Sequence, residues 1–280
     1  MRRVDELLRR ARRRLAEGPD PEAAGLEAEL LLARVLERPR AWLYAWPEFE
    51  VAAEPARRFE ELLGRRCAGE PVAYLLGSRE FWSLPLRVTE GVLIPRPETE
   101  RLVELALELG PPGPARVLDL GTGSGAIALA LASERPHWQV LGVEVDPGNA
   151  ALAAANARRL GLGARFVCAS WFSALAPGEF DLIVSNPPYL ADDDPHLQQG
   201  DLRFEPRRAL VAGEDGLAAL RLLAAAAPDR LAPAGWLLME HGREQGATAS
   251  ALLRAAGLDE VRTWLDHGGR DRVSGGRRSA

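Results

Sequence analysis

The feature that most limits how this chain can fold is an eight-residue turn, Asp119-Leu120-Gly121-Thr122-Gly123-Ser124-Gly125-Ala126. It completes a short apolar run, Arg116–Leu120, and opens an alanine-rich segment, Ala126–Ala132. The glycines let the backbone turn sharply and approach a ligand closely. The helix that starts there aims the positive end of its dipole at that ligand. Such a turn belongs at the carboxyl end of a strand in an open α/β sheet, the edge where those sheets bind ligands.

The rest of the second half has the texture of such a sheet. Val140–Val143, Phe166–Cys168, Phe180–Val184 and Trp236–Met239 are further short apolar runs. Helical segments over Ala150–Leu160 and near 215–227 alternate with them. This spacing predicts an α/β domain over residues 98–280, with a mostly parallel sheet covered by helices on both faces. The Gly-rich tail from Val261 to Arg278 predicts an antiparallel hairpin at the sheet edge. Residues 1–76 read as helices only. Val4, Leu7, Leu8, Ala11 and Leu15 recur at helical spacing, as do Leu26, Leu30, Leu31 and Val35. Asp20-Pro21 reads as an N-cap with proline at the first helical position. A third helix is expected from Glu54 to Cys67. Residues 77–97 predict a β-hairpin linker, with Phe81–Val88 and Val92–Ile94 as strands around a Thr89-Glu90-Gly91 turn.

Composition narrows the chemistry. All 35 basic residues are Arg, so a Walker-A lysine and Schiff-base pyridoxal chemistry are excluded. A net charge of −5 disfavours a bulk nucleic-acid coater, whose affinity comes from neutralising phosphates. The seven arginines between Arg2 and Arg14 are read as a solvated helix face, with a binding face for an acidic partner or RNA as the alternative. Cys67 and Cys168 are the two cysteines, too few for a disulfide framework or a thiolate zinc site and suited to a reducing cytoplasm. No 18-residue apolar run predicts a membrane span, and the N-terminus has no signal-peptide core. His and carboxylates nowhere take metal-ligand spacing, so no metal is expected.

The glycine turn alone leaves two cofactor classes open. Gly121, Gly123 and Ala126 match the G-x-G-x-x-A dinucleotide fingerprint, while Gly121, Gly123 and Gly125 after Asp119 match an S-adenosylmethionine turn. Glu144, at the end of the second run, is placed to accept both ribose hydroxyls of a nucleoside. Asp146 is a rival for that role, but Asp146-Pro147 also reads as an N-cap.

The fourth run ends Ser185-Asn186-Pro187-Pro188-Tyr189. Two prolines fix φ and remove two backbone donors, leaving main-chain acceptors and the Asn186 oxygen to receive an NH2 group. Tyr189 offers a flat wall for a planar substrate. An amide or exocyclic amine attacks a methyl sulfonium poorly because its lone pair is delocalised. Acceptors that grip its hydrogens raise electron density on nitrogen and aim it, so positioning carries most of the catalysis.

Asn186–Tyr189 with Asp119–Gly125 resembles the class I S-adenosylmethionine methyltransferases that act on planar nitrogens. Arg79–Trp82, Ile94–Glu100, Asp194–Leu197, Arg203–Pro206 and Glu240–Gly242 are similar to strings of one branch, the HemK/PrmC-type release-factor glutamine methyltransferases. The resemblance implies a Rossmann-like methyltransferase sheet behind a small helical domain. It implies methylation of the side-chain amide N5 of the glutamine in the Gly-Gly-Gln loop of class I peptide-chain release factors. By the same resemblance Gly121, Thr122, Gly123, Ser124 and Gly125 line the methionine part of S-adenosylmethionine, Glu144 holds its ribose and Trp171 packs on its adenine. Asn186, touching both cofactor and substrate, accepts from the glutamine amide, with Pro187, Pro188 and Tyr189 completing the substrate and catalytic turn. Where the branch often has Asp before the tryptophan, this chain has Ser170.

The main alternative is an N6-adenine methyltransferase on DNA or RNA, since the same turn can grip a flipped base. An NAD-dependent oxidoreductase would leave Asn186–Tyr189 unexplained, and a non-enzymatic binding module would leave both turns without a use. The leading reading expects the first domain to dock the release factor, no stable nucleic-acid partner, and a monomer. Arg96 is read either as closing over the cofactor or as a domain-bridging ion pair. The Asp192–Gly200 loop reads as a flap, His196 within it as non-catalytic, and His241 as a packing residue.

Overall fold

The computed structural model describes residues 2–18, 20–175 and 180–280. The chain divides into two compact units, Met1–Ser78 with Pro195–Phe204, and Arg79–Asp194 with Glu205–Ala280.

The first unit contains β1 (Arg2–Arg3), α1 (Val4–Leu15), α2 (Ala24–Leu36), α3 (Arg40–Ala45), β2 (Glu50–Val51), α4 (Ala53–Cys67) and α5 (Val72–Leu76). α1 buries Val4, Leu7, Leu8, Ala11 and Leu15, the stripe its spacing predicts. α2 buries Ala24, Ala28, Leu31 and Val35 instead of a stripe through Leu26, which is 45% exposed. The inner face is set by Glu27, whose carboxylate accepts two bonds at 2.8 Å from Arg66 of α4. Leu26, one residue from Glu27, is rotated about 100° away from it. Helix α2 also begins later than Pro21. Asp20 still accepts a bond from the Ala23 N–H at 3.1 Å, but it closes a turn rather than capping a helix. Pro195–Gln198 and Gly200–Phe204 form two 3-10 turns of this unit, with Asp201 3.5 Å from Arg66. Local spacing carries no signal of that long-range membership.

The second unit opens with the hairpin β3 (Ser78–Phe81) and β4 (Leu84–Arg87). Its turn is Trp82-Ser83, both with positive φ (52° and 58°), and not Thr89-Glu90-Gly91 as expected. Two consecutive left-handed residues make the tight turn that suits a twisted hairpin, here without the Asn-Gly signal that would announce it. Val92 and Ile94 are buried, but Val92–Ile94 forms no strand. The Val92 N–H closes a turn onto the Thr89 carbonyl, Ile94 donates to the Glu205 carboxylate, and Pro95 and Pro97 have no N–H to give a ladder.

Then follow α6 (Glu100–Leu109), β5 (Arg116–Leu120), α7 (Ala126–Glu134), β6 (Gln139–Glu144), α8 (Pro147–Leu160), β7 (Arg165–Cys168), β8 (Phe180–Ser185), α9 (Ala218–Ala226), β9 (Leu231–Glu240), α10 (Gly246–Ala255), β10 (Asp259–Leu265) and β11 (Asp271–Arg277). Seven strands form one sheet in the order β10-β11-β9-β8-β5-β6-β7. β9, β8, β5, β6 and β7 run parallel, and β11 and β10 close the edge antiparallel, as the sequence predicts. Val117, Leu182, Val184, Trp236 and Leu238 share a core with α6 and α7. Their alternating neighbours Leu118, Leu120, Ile183, Leu237 and Met239 share another with α9 and α10. Burial on both faces is why these strands read as continuous apolar runs. From β5 the chain builds outward to β6 and β7, then crosses to β8 on the other side of β5. The crevice at the carboxyl ends of β5 and β8 is therefore the topological switch point, where open α/β sheets bind ligands.

Candidate active site

Gly121, Gly123 and Gly125 all hold positive φ (71°, 57° and 87°), so the turn after β5 takes a backbone path that side chains resist. Asp119 holds it from below. Its Oδ2 accepts from the Thr122 hydroxyl at 2.5 Å and from the Ala128 N–H, in the first turn of α7, at 3.1 Å. Burial pushes the Asp119 carboxyl up to about 7; the Thr122 and Ala128 bonds hold it back, and the Glu144 charge adds to the rise. From above, Asn156 of α8 donates to the Ser124 carbonyl at 2.9 Å.

Glu144 ends β6 with both carboxylate oxygens in use. Oε2 accepts the Gly123 N–H and Oε1 the Asp146 N–H, each at 3.0 Å. Asp146 itself caps α8, accepting the Asn149 N–H at 2.9 Å, and pairs with Arg208 at 2.9 Å. The N-cap reading of Asp146 therefore holds, and Glu144 is the acid beside the glycine turn.

These residues open into a cavity of about 240 Å³. Its lining includes Gly121, Gly123, Glu144, Trp171, Asn186 and Pro188 of the expected site residues. Trp171 reaches it through a left-handed backbone, φ 47°, with its ring edge 4.0 Å from where a Cβ on Gly121 would lie. Thr122, Ser124, Gly125, Pro187 and Tyr189 are not in the lining. Thr122 is turned onto Asp119, and a Cβ at Gly125 would lie 3.2 Å from Ala153 and Phe166. The lining also takes Leu93, Val145, Asn149, Ser170 and Arg208. Asn149 and Arg208 both donate to the Gly91 carbonyl, at 3.0 and 3.2 Å. No local motif marks either residue; only the crossing of loops at the switch point brings them to the rim.

The Asn186–Tyr189 turn leaves β8 next to the glycine turn on β5. From Pro187 onward its main-chain donors are absent or committed. Pro187 and Pro188 have none, and Tyr189 and Leu190 donate to the Leu210 carbonyl at 3.1 and 2.8 Å. Asn186 Nδ2 donates to Thr99 Oγ1 at 3.0 Å. Gln245 donates to the Tyr189 carbonyl at 2.9 Å. Burial, helped by the nearby Glu240 charge, pushes the Tyr189 phenol up to about 12, so it stays neutral at any physiological pH.

Arg96 does not bridge the two units. It pairs with Glu205, and both belong to the second unit. Glu205 also takes the Ile94 N–H, so the pair fixes the Ile94–Pro97 loop. His241 is buried, and burial lowers its pKa. A neutral ring fits its contacts, with Nδ1 donating to the Gly242 carbonyl at 2.9 Å and Nε2 accepting from Ser274 at 2.8 Å. His196 lies in the 3-10 turn Pro195–Gln198 of the first unit. Among the described residues no cluster of His, Cys, Asp and Glu has metal-binding geometry, and no helix is long and apolar enough to cross a membrane.

Comparison with known proteins agrees with this layout. Residues 6–77 match the PrmC N-terminal domain, and residues 103–201 the methyltransferase small domain. The chain is 52% identical to the release factor glutamine methyltransferase of Vibrio cholerae over 255 residues, 90% of this chain and 89% of that one. It is 47% identical to the Escherichia coli protein of the same name, over 91% of this chain and 93% of the other. A methyltransferase structure from Pyrococcus furiosus shares the fold at 19% identity, with a TM-score of 0.54 over 70% of this chain and 90% of that one. The chain belongs to the release factor glutamine methyltransferase family.

Proposed function

We propose that this enzyme transfers a methyl group from S-adenosylmethionine to the side-chain amide N5 of the glutamine in the Gly-Gly-Gln loop of a class I release factor. The observation that carries this reading is one cavity lined by both turns, Gly121 and Gly123 after β5 and Asn186 and Pro188 after β8. One side offers an aromatic face and a carboxylate, the other a rigid turn whose two prolines carry no main-chain donor.

The residues present suit the cofactor. Trp171 gives a face for adenine. Glu144 is already fixed by two N–H groups, and its remaining lone pairs can accept ribose hydroxyls. The Gly121–Gly125 backbone leaves room for the methionine part. When bound, S-adenosylmethionine supplies an electrophilic methyl on a sulfonium, whose sulfur keeps the electron pair of the broken S–CH3 bond and leaves as the neutral thioether S-adenosylhomocysteine. Ser170 stands where an acid often serves the adenine amino group; its shorter hydroxyl replaces a charge-assisted acceptor with a neutral one.

Asn186 accepts a hydrogen of the glutamine amide, and the Pro187-Pro188 turn holds that acceptor in one place. This raises electron density on the amide nitrogen and aims it at the methyl. Once alkylated, the nitrogen is strongly acidic and loses its proton without a dedicated base. Tyr189, neutral and buried, flanks the amide as an apolar wall. Positioning of this kind supplies on the order of 7–11 kcal/mol of barrier reduction. The first unit docks the release factor. The enzyme works as a monomer in the cytoplasm and forms no stable complex with nucleic acid.

The test is transfer of labelled methyl to a purified release factor, to its Gln→Ala loop variant, and to pooled duplex DNA and RNA. Label on the wild-type factor alone is expected. Label on nucleic acid with none on protein would keep the fold and overturn the substrate.

A further inference from the structure

β8 and β9 run side by side, with Ser185 paired to Met239, so Asn186, the first residue after β8, emerges beside Glu240, the last residue of β9. Between them sits Thr99, buried at the end of the 3-10 turn Pro97–Thr99. Asn186 Nδ2 donates to Thr99 Oγ1 at 3.0 Å, and the buried Glu240 carboxyl lies beside the Thr99 hydroxyl. Glu240 is 1% exposed, and its Oε2 has no hydrogen-bond partner among the described residues. The ionisable groups around it are Arg272, Arg96, Glu98 and Tyr189.

A side-chain amide has a donor end and an acceptor end of nearly the same shape, and only one orientation turns Oδ1 toward a substrate NH2. A hydroxyl alone does not choose between them, because it donates and accepts equally well. Once ionised, the state of Glu240 above about pH 7, a carboxyl group only accepts. With its proton given to Glu240, Thr99 presents nothing but lone pairs to Asn186, and the flipped amide would set oxygen against oxygen. We propose that Thr99 and Glu240 are positioning residues that lock the Asn186 amide with its NH2 toward Thr99 and its oxygen toward the glutamine. This rests on the acceptor role of Asn186 proposed above. Neither residue touches the substrate; both act through Asn186.

The test compares Thr99→Val, which keeps the shape and loses the hydroxyl, with Thr99→Ser, which keeps the hydroxyl, in the full-length enzyme. Transfer to a release factor by Thr99→Val should fall about 10- to 100-fold in kcat, with cofactor Kd and melting temperature close to wild type. Thr99→Ser should recover to within about threefold. In Asn186→Ala, adding Thr99→Val should cost nothing further, since the residue it acts through is gone. Glu240→Gln, which can both donate and accept, should resemble Thr99→Val. If that variant does not fold, the two Thr99 variants still decide. A readout that needs no substrate is hydrogen exchange of the Asn186 side-chain NH2 by NMR: protected in wild type and Thr99→Ser, unprotected in Thr99→Val. Equal exchange in wild type and Thr99→Val, or losses that multiply in the double variant, would overturn the proposal. Protection as expected, with no methyl reaching the release factor from the wild-type enzyme, would overturn the substrate reading and leave the lock standing.

Discussion

The Glu144 carboxylate holds the glycine turn from the neighbouring strand, accepting the Gly123 N–H at 3.0 Å while its other oxygen takes the Asp146 N–H. The group proposed to bind ribose is thus fixed before any ligand arrives. Glu144→Gln keeps one acceptor and sets an NH2 against a backbone N–H. The loss of about 1–3 kcal/mol expected for such a mispaired group corresponds to about a 10- to 100-fold weaker cofactor Kd. Isothermal titration with S-adenosylmethionine checks this. With saturating cofactor, kcat should stay within a few-fold of wild type. An unchanged Kd would remove Glu144 from the cofactor site.

Gly216 supports the acceptor turn from behind. Its φ is +70°, and a Cβ there would lie 2.5 Å from the Tyr189 carbonyl oxygen and 3.0 Å from the Leu190 carbonyl carbon. Backbone cannot swing aside as a side-chain tip can. Gly216→Ala is therefore expected to push the Tyr189–Leu190 segment and to cost about 1–3 kcal/mol from the strained φ and the clash. Transfer should fall while cofactor Kd holds, because the glycine turn on β5 is untouched. Chemical denaturation and single-turnover transfer, measured together, separate the two effects.

Burial pushes Asp119 and Glu240 each up to about 7. In the unfolded chain both carboxyls ionise near the usual value of about 4. Between about 4 and about 7 the folded state therefore binds more protons than the unfolded state, and stability falls as pH rises through that window. Each group costs a few kcal/mol at most above it. Asp119→Asn keeps an oxygen for Thr122 and Ala128 and removes the titration. Its unfolding free energy should lose less than wild type does between pH 5 and pH 8. A variant curve parallel to wild type would refute the assignment.

How much of this was legible beforehand depended on the range of the interactions. β5, its glycine turn and the Asn186–Tyr189 turn were readable because glycine permits positive φ, proline fixes φ, and buried parallel strands spell continuous apolar runs. The N-cap role of Asp146 was readable for the same reason. The hairpin turn was misplaced because Trp82-Ser83 adopts left-handed backbone without the usual residues, whereas Thr89-Glu90-Gly91 carries them. Leu26 was misassigned because the inward face of α2 is set by an ion pair with Arg66, thirty-nine residues away in sequence. Asn149 and Arg208 had no local signature at all, and Thr99 and Glu240 stood in family-like strings that gave them no role. Each gains its place only when the loops above the sheet cross at the switch point.

Asn186 separates the two halves of the proposed chemistry most cleanly. Its Oδ1 is the proposed acceptor for the glutamine amide, while the cofactor's proposed contacts lie with Glu144, Trp171 and the Gly121–Gly125 backbone. Asn186→Ala removes one preorganised hydrogen bond to the reacting group. Such a loss costs about 2.7–4 kcal/mol, or about 10²- to 10³-fold in rate. Single-turnover methyl transfer to a release factor should show that drop, with cofactor Kd within about threefold of wild type, because most of the cavity wall is intact. Two results would contradict the assigned role. A matched loss of cofactor affinity would make Asn186 chiefly a cofactor ligand, and near-normal transfer would place the acceptor for the glutamine amide elsewhere in the turn.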